Sequence, residues 1–337
     1  MFVLLRVAEV IVPRICRNRV ALFTRRPVLP VARVRRPFAA ALAAVCLSVV
    51  PALAGGEPKA AEPTPRAASN DFTGALVIVG GGGFPDDIRD RFLQLARDKQ
   101  GKPGRLVVIP TASEKADLTG ISPSLGYWQK QGLASVSQLH TLDRKKANDL
   151  SFVKPLTDAT AAWLDGGDQE RLAKAYHDTA VEKELRQLLA RGGVIGGTSA
   201  GASIMSEIMI TGGNPQGPAS TGQGFGFLPN VVIDQHFQNR QRLNRLLGVL
   251  KKNPRCLGLG IDEETAVVVS GQSFTVLGKA NVSLCLPPID SEESSVTLLK
   301  SGEVRNLLKL SDRVMAHVKT PSEGKPVAAK TSRATTP

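Results

Sequence analysis

An α/β fold is predicted: a mainly parallel sheet with helices on both faces and an antiparallel extension near the C-terminus. Three features carry that expectation. Short runs of Val, Ile, Leu and Ala alternate with polar stretches of helical length between residues 75 and 252. Several of those runs are apolar throughout, the pattern of strands covered on both faces. From residue 257 onward four apolar runs follow closely on one another, with Gly271-Gln272 as a hairpin turn.

Taken in order, residues 75–79 read as the first strand, and glycines at 80–83 separate it from a helix over 86–98. The next strand is 105–109, ending in Pro110-Thr111. Residues 115–131 contain a helix, 136–141 form a third strand and 159–164 a fourth. Helices follow over 168–176 and 180–191. Then come a strand at 194–196, a helix at 200–208, a strand at 231–234 and a helix at 238–252. The closing strands are 257–262, 265–269, 273–277 and 282–286. In such folds, sites form in loops at the carboxyl ends of the strands.

The chain has 337 residues, 42% hydrophobic and 22% charged, which excludes a disordered chain, a rod and a polytopic membrane protein. Its 43 Lys+Arg against 30 Asp+Glu are unevenly placed: residues 1–54 carry nine Arg, no Lys and one acid, Glu9. The remainder is nearly balanced, 34 basic to 29 acidic, and aromatic residues are sparse, so nucleic acid is not an expected partner. Arg33, Arg35 and Arg36 precede an apolar run and then Pro51-Ala52-Leu53-Ala54, the layout of an export signal. Residues 1–54 are therefore expected to act as a leader to the periplasm or exterior; if the extension is an artefact of the assigned start, the protein is cytoplasmic. Residues 55–72 read as a Pro/Ala-rich linker, 73–315 as the folded body and 316–337 as a disordered tail. Cys46 lies in the leader. Cys256 and Cys285 sit beside apolar strands and read as buried free thiols; without paired His they make no zinc site.

The glycine run departs from a dinucleotide fingerprint, because Pro85 stands at the last Gly position, and no G-K-[ST] follows. It reads as a tight turn or a loop packed near a site. Gly197-Thr198-Ser199-Ala200-Gly201 matches G-x-S-x-G between a strand and a helix, the setting of a nucleophile elbow. Such a turn lifts Ser199 Oγ clear of the backbone and aims the Ala200 N–H at a developing oxyanion. A serine needs a base. Of His140, His177, His236 and His317, only His236 follows a strand in a site-like position, within Asp234-Gln235-His236-Phe237. The orienting acid is one of Asp262, Glu263 and Glu264, which alternation alone leaves open. The order Ser, His, acid differs from that of the α/β-hydrolases.

These motifs, with Asp165-Gly166-Gly167-Asp168-Gln169 and Gly260-Ile261-Asp262-Glu263-Glu264-Thr265-Ala266, resemble the cyanophycinases, in the serine peptidase family that also contains aspartyl dipeptidase. The resemblance spans about 75 to 290. It implies a flavodoxin-like fold similar to class I glutamine amidotransferases, with Ser199 as nucleophile, His236 as base and Glu263 as acid. It also implies Gly167 as a second oxyanion donor beside Ala200, no metal or organic cofactor, and a homodimer. Gln169, Asp234, Gln235, Arg240, Arg242 and Arg245 would line the substrate pocket. Cyanophycin has an aspartate backbone with arginine on each β-carboxyl. Arginine forks can grip its carboxylates, and Asp165, Asp168, Asp234 and Glu264 are available for its guanidinium groups. The implied activity is hydrolysis of cyanophycin to β-aspartyl-arginine dipeptides. The alternatives are a dipeptidase acting on small acidic or isoaspartyl peptides and a silent binding protein. Asp165, the abundance of glycine at 80–83 and the Gly/Pro-rich stretch 212–226 depart from the family pattern.

Overall fold

The computed structural model describes residues 73–122, 124–288 and 293–317. The expected leader and linker, and the tail beyond residue 317, lie outside them. The first half of the body runs β1 (Ala75–Val79), α1 (Asp86–Leu95), β2 (Arg105–Ile109), α2 (Glu114–Thr119), α3 (Leu125–Trp128), β3 (Ser135–Gln138), α4 (Arg144–Ala147), α5 (Leu150–Thr157), β4 (Ala161–Leu164), α6 (Gln169–Tyr176), α7 (Ala180–Ala190) and β5 (Val194–Thr198). The second half runs α8 (Ala200–Ser203), β6 (Ile208–Gly213), β7 (Ala219–Gln223), β8 (Val231–Gln235), α9 (Leu243–Lys252), β9 (Leu257–Ile261), β10 (Thr265–Ser270), β11 (Ser273–Gly278), β12 (Val282–Leu286), β13 (Ser295–Leu299), β14 (Val304–Asn306) and α10 (Leu307–His317).

Eight strands form the central sheet in the order β14-β11-β10-β1-β5-β4-β2-β3. The five from β1 to β3 are parallel, and β10, β11 and β14 are antiparallel additions at one side. Every residue of β1 and β4 is buried, because both faces are covered. Leu76 and Ile78 pack with α5, α6 and α7 residues such as Leu156, Leu172 and Leu185. Ala75, Val77 and Val79 pack on the opposite side with Ile88 and Phe92 of α1 and Trp128 of α3. The alternation of β1 thus feeds two separate cores.

A second sheet, β13-β12-β9-β8, is buried on one face in the larger core and on the other against Leu246, Val249 and Leu250 of α9. The closing strands therefore divide: β10 and β11 extend the central sheet, while β9 and β12 join β8. The corner between the sheets is Asp262-Glu263-Glu264, where Glu264 takes φ 54°.

Register places the site. Val79 of β1 pairs with Thr198 of β5, Gly197 of β5 with Leu164 of β4, and Leu164 with Ile109 of β2. The loops that leave these strands therefore start within one residue of a common line. In the second sheet Gln235 pairs with Ile261, so the segments bearing His236 and Glu263 also start side by side.

Two predicted helices are shorter than expected. The helix predicted at 200–208 stops at Ser203. The carbonyls of Ile204, Met205 and Ser206 accept instead from Phe225, Leu228 and Gly226 N–H, so the chain folds back and Ile208 begins a hairpin with β7. The helix predicted at 238–252 is a 3-10 turn, Gln238–Arg240, followed by α9; Gln241 at φ 51° breaks it. Cys256 and Cys285 are buried free thiols, and burial pushes both up to about 12.

Candidate active site

Ser199 sits where β5 turns into α8, at φ 53° and ψ −110°. A non-glycine residue at positive φ is costly, and the flanking glycines make the turn sterically feasible. A Cβ on Gly197 would lie 2.6 Å from the carbonyl carbon of Gly201. One on Gly201 would lie 2.7 Å from that of Leu164. The Ser199 N–H donates to Val79 O at 3.1 Å, fixing the elbow to β1.

His236 follows β8, also at positive φ (50°), and its N–H donates to Gly80 O at 2.8 Å. Its Nε2 lies 2.9 Å from Ser199 Oγ and its Nδ1 2.5 Å from Glu263 Oε1. An ionised carboxylate only accepts, so Nδ1 carries the ring proton and the Nε2 lone pair faces the serine hydroxyl. Burial is the largest influence on the imidazole and pushes its pKa below the ordinary value of 6.5. Glu263 opposes that shift, and the charges of Arg240 and Arg242 add to it. The ring is therefore neutral at pH 7 and able to take a proton.

The three acids at the sheet corner separate by environment. Asp262 is buried, accepting from Gln238 N (3.0 Å) and Asn281 N (3.3 Å). Glu263 meets His236. Glu264 pairs with Lys279 Nζ at 2.8 Å.

The loop after β4 closes the other side of Ser199. A Cβ on Gly166 would lie 3.4 Å from Ser199 Cβ and 3.9 Å from its Oγ. Among the described residues, the N–H groups of Gly167 and Ala200 have no acceptor, the state expected of donors reserved for an oxyanion. A serine hydroxyl facing a neutral, carboxylate-oriented imidazole is equipped for acyl transfer.

The profile of Peptidase family S51 matches residues 76–277, which holds all of these groups. The chain belongs to peptidase family S51. It is a serine peptidase. Its relatives include the cyanophycinase of Geminocystis herdmanii, 32% identical over 233 residues, covering 66% of this chain and 83% of that protein. The cyanophycinase of Nostoc sp. is 33% identical over 236 residues, covering 66% and 76%. The crystal structure of a peptidase from an acI-B1 Actinobacterium superposes with a TM-score of 0.54 at 23% identity, covering 71% of this chain and 98% of that one. That likeness concerns the fold.

Within this S51 site, the residues expected to line a substrate pocket divide sharply. Arg240 is exposed at the end of the 3-10 turn, four residues past His236. Asp234 is 1% exposed, so its assignment to the pocket is corrected: Arg245 Nε donates to Oδ2 at 2.9 Å and Arg245 Nη2 to Oδ1. Arg245, 4% exposed, is closed off with it. Arg242 is also buried; its Nη1 donates to Gln235 O (2.5 Å), Gln235 Oε1 (3.1 Å) and Asp234 Oδ1 (3.3 Å). Burial drops its pKa to about 10. Gln235 is therefore held from below, and Gln169 spends its amide N–H on Ile210 O at 2.7 Å. The spacing of the arginines concealed that Arg240 is exposed while Arg242 and Arg245 share a buried network around Asp234.

The glycine run is the wall of the site. Sites for a Cβ on Gly81, Gly82 and Gly83 face His236, Glu263 and Glu264 in turn. A row of side chains there would displace the catalytic-type groups. Away from the site, His177, Asp178 and Glu182 bring ligand-type atoms together, but Arg186 already pairs with Glu182 at 2.8 Å.

Proposed function

We propose that the protein hydrolyses cyanophycin to β-aspartyl-arginine dipeptides through an acyl-enzyme. The observation that carries this reading is the hydrogen-bonded chain Ser199–His236–Glu263 at the strand ends, within a match to relatives named cyanophycinase. Ser199 Oγ attacks the carbonyl of a backbone aspartyl bond while its proton passes to His236 Nε2. The Gly167 and Ala200 N–H groups receive the oxyanion. The tetrahedral adduct collapses as His236 returns the proton to the leaving amine, and water then releases the acyl group by the same steps. Glu263 holds the ring and stabilises its cation. Arg240 is the arginine exposed enough to meet a substrate carboxylate.

Purified residues 55–337 incubated with insoluble cyanophycin are expected to release β-aspartyl-arginine, read by mass, and Ser199→Ala to release none. No release from a folded protein whose Ser199 reacts with a covalent serine probe would move the substrate to smaller aspartyl peptides. Absence of both release and labelling would overturn the serine mechanism and leave a binding protein.

The acid side of the pH profile follows from the same geometry. His236 must be neutral to act as base, so kcat/KM falls as pH drops through its lowered pKa, and activity persists into mildly acid solution. Arg240→Gln removes a positive charge that disfavours the imidazolium. The His236 pKa then rises and the acid limb moves to higher pH. A profile that stays put, or moves to lower pH, would contradict this placement of Arg240.

A further inference from the structure

We propose that Asp165 is a positioning residue for the reaction: its buried carboxylate, gripped by Ser122 and Ser124, fixes the Gly166-Gly167 turn against Ser199. This rests on reading Ser199 as the nucleophile and the Gly167 N–H as an oxyanion donor.

Asp165 directly follows β4 and is 5% exposed. Ser122 Oγ donates to its Oδ2 and Ser124 Oγ to its Oδ1, both at 2.6 Å. These are lengths of charge-assisted O–H···O bonds. Among the described residues, burial, the Ser122 and Ser124 hydroxyls and the Trp163 indole set its environment, with no cation among them. A buried carboxylate without a cation is costly to keep. Burial pushes its pKa up and the serine hydroxyls pull it back. An apolar side chain would fill the space at less cost, so its worth lies in what it holds.

What it holds is the turn beside the nucleophile. Ahead of that turn, the Asp165 N–H donates to Ile109 O at 3.1 Å, and the side chain reaches Ser122 and Ser124. Ser122 is itself fixed, its N–H donating to Gln138 Oε1 (2.5 Å) at the end of β3, while Gln138 Nε2 donates to Gly120 O (2.9 Å). Behind the turn, the Asp168 N–H donates to Ala112 O at 2.9 Å, and Ala112 backbone fills the space a Cβ on Gly167 would need. Gly166 and Gly167 are thus pinned from both ends, with Gly166 against Ser199. Two glycines have the greatest freedom to lose. An oxyanion donor acts through being in place before charge develops.

The test compares wild type, Asp165→Asn and Ser122→Ala/Ser124→Ala on a soluble cyanophycin oligomer. It also measures the affinity of a peptidyl aspartic aldehyde, whose oxygen takes the oxyanion position once Ser199 adds to it. Asp165→Asn is expected to lower kcat about 10- to 100-fold, less than outright loss of a donor. KM should stay within about twofold, the sign of a contact made mainly in the transition state. Aldehyde affinity should fall by the same factor as kcat, and affinity for the product dipeptide should not change. A further variant that combines Asp165→Asn with Ser122→Ala and Ser124→Ala should lose no more than Asp165→Asn alone, because the three groups form one unit. Wild-type kcat in folded Asp165→Asn, or equal losses for aldehyde and product, would overturn the proposal. If Asp165→Asn does not fold, Ser124→Ala carries the same comparison. Full activity in Ser199→Ala would instead remove the reading beneath it.

Discussion

Gly81→Ala is expected to lower kcat by on the order of 10⁴-fold, about as much as deleting a member of a serine–histidine–acid unit. The added Cβ would fall 2.5 Å from His236 Nε2 and 2.8 Å from Nδ1. Carbon cannot approach nitrogen that closely, so either the ring or the turn must move. The ring is held between Ser199 and Glu263 at hydrogen-bond distance on both sides, and any displacement breaks one of those bonds. The turn is held as firmly, since Gly80 O accepts from the His236 N–H and Gly81 O from the Glu264 N–H. Gly81 also has φ 109°, a conformation L side chains rarely adopt. Gly101→Ala separates the two effects. That glycine has φ 74° with nothing within 4 Å of a Cβ, so it meets backbone strain without collision and should keep wild-type kcat. Both variants should remain folded by circular dichroism. If Gly81→Ala kept a tenth or more of the activity, the glycine wall would not be what seats His236.

The line from sequence to site was clear where local chemistry dictates the backbone. G-x-S-x-G between an apolar run and a helix marks an elbow because few other sequences permit Ser199 its φ and ψ. The fully apolar runs at β1 and β4 announce strands with two covered faces. Legibility failed where tertiary partners decide. Nothing local shows that the carbonyls of Ile204 to Ser206 will be taken by residues 225–228, so a helix was expected to run on. Nothing local tells Asp262, Glu263 and Glu264 apart, because what distinguishes them is the corner between two sheets. The small helices α4 and α5 left a weaker trace that was there to read: Asp143 and Asp149 cap them, each accepting an N–H two residues on at 2.8 Å. The arginines mislead for a related reason. Helical spacing reports which face a residue occupies, and here Arg245 occupies a buried face opposite a carboxylate that precedes it by eleven residues.

Asp234 is expected to govern stability. It is the one acid among two buried guanidinium groups, bonded to Arg245 through both oxygens and to Arg242 through one. A buried ion pair adds little net stability over an apolar substitute, yet removing one partner leaves a charge stranded. Asp234→Ala would strand two. The expected loss is about 3–5 kcal/mol. For a folded body of this size that is a fall in Tm of about 6–20 °C. Arg242 already has a buried Nε without a partner, so the network holds no spare acceptor to absorb the change. Replacing both members of the principal pair, Asp234→Leu with Arg245→Met, removes the stranded charge and should recover much of the lost Tm, leaving Arg242 to Gln235. A substrate-binding Asp234 would behave in the opposite way, with Tm unchanged and KM raised. Because β8 runs from Asp234 through Gln235 into His236, the ion pair also sets the strand end from which His236 projects. Activity in Asp234→Ala should accordingly fall with stability, and return in the double variant to the extent that Tm returns.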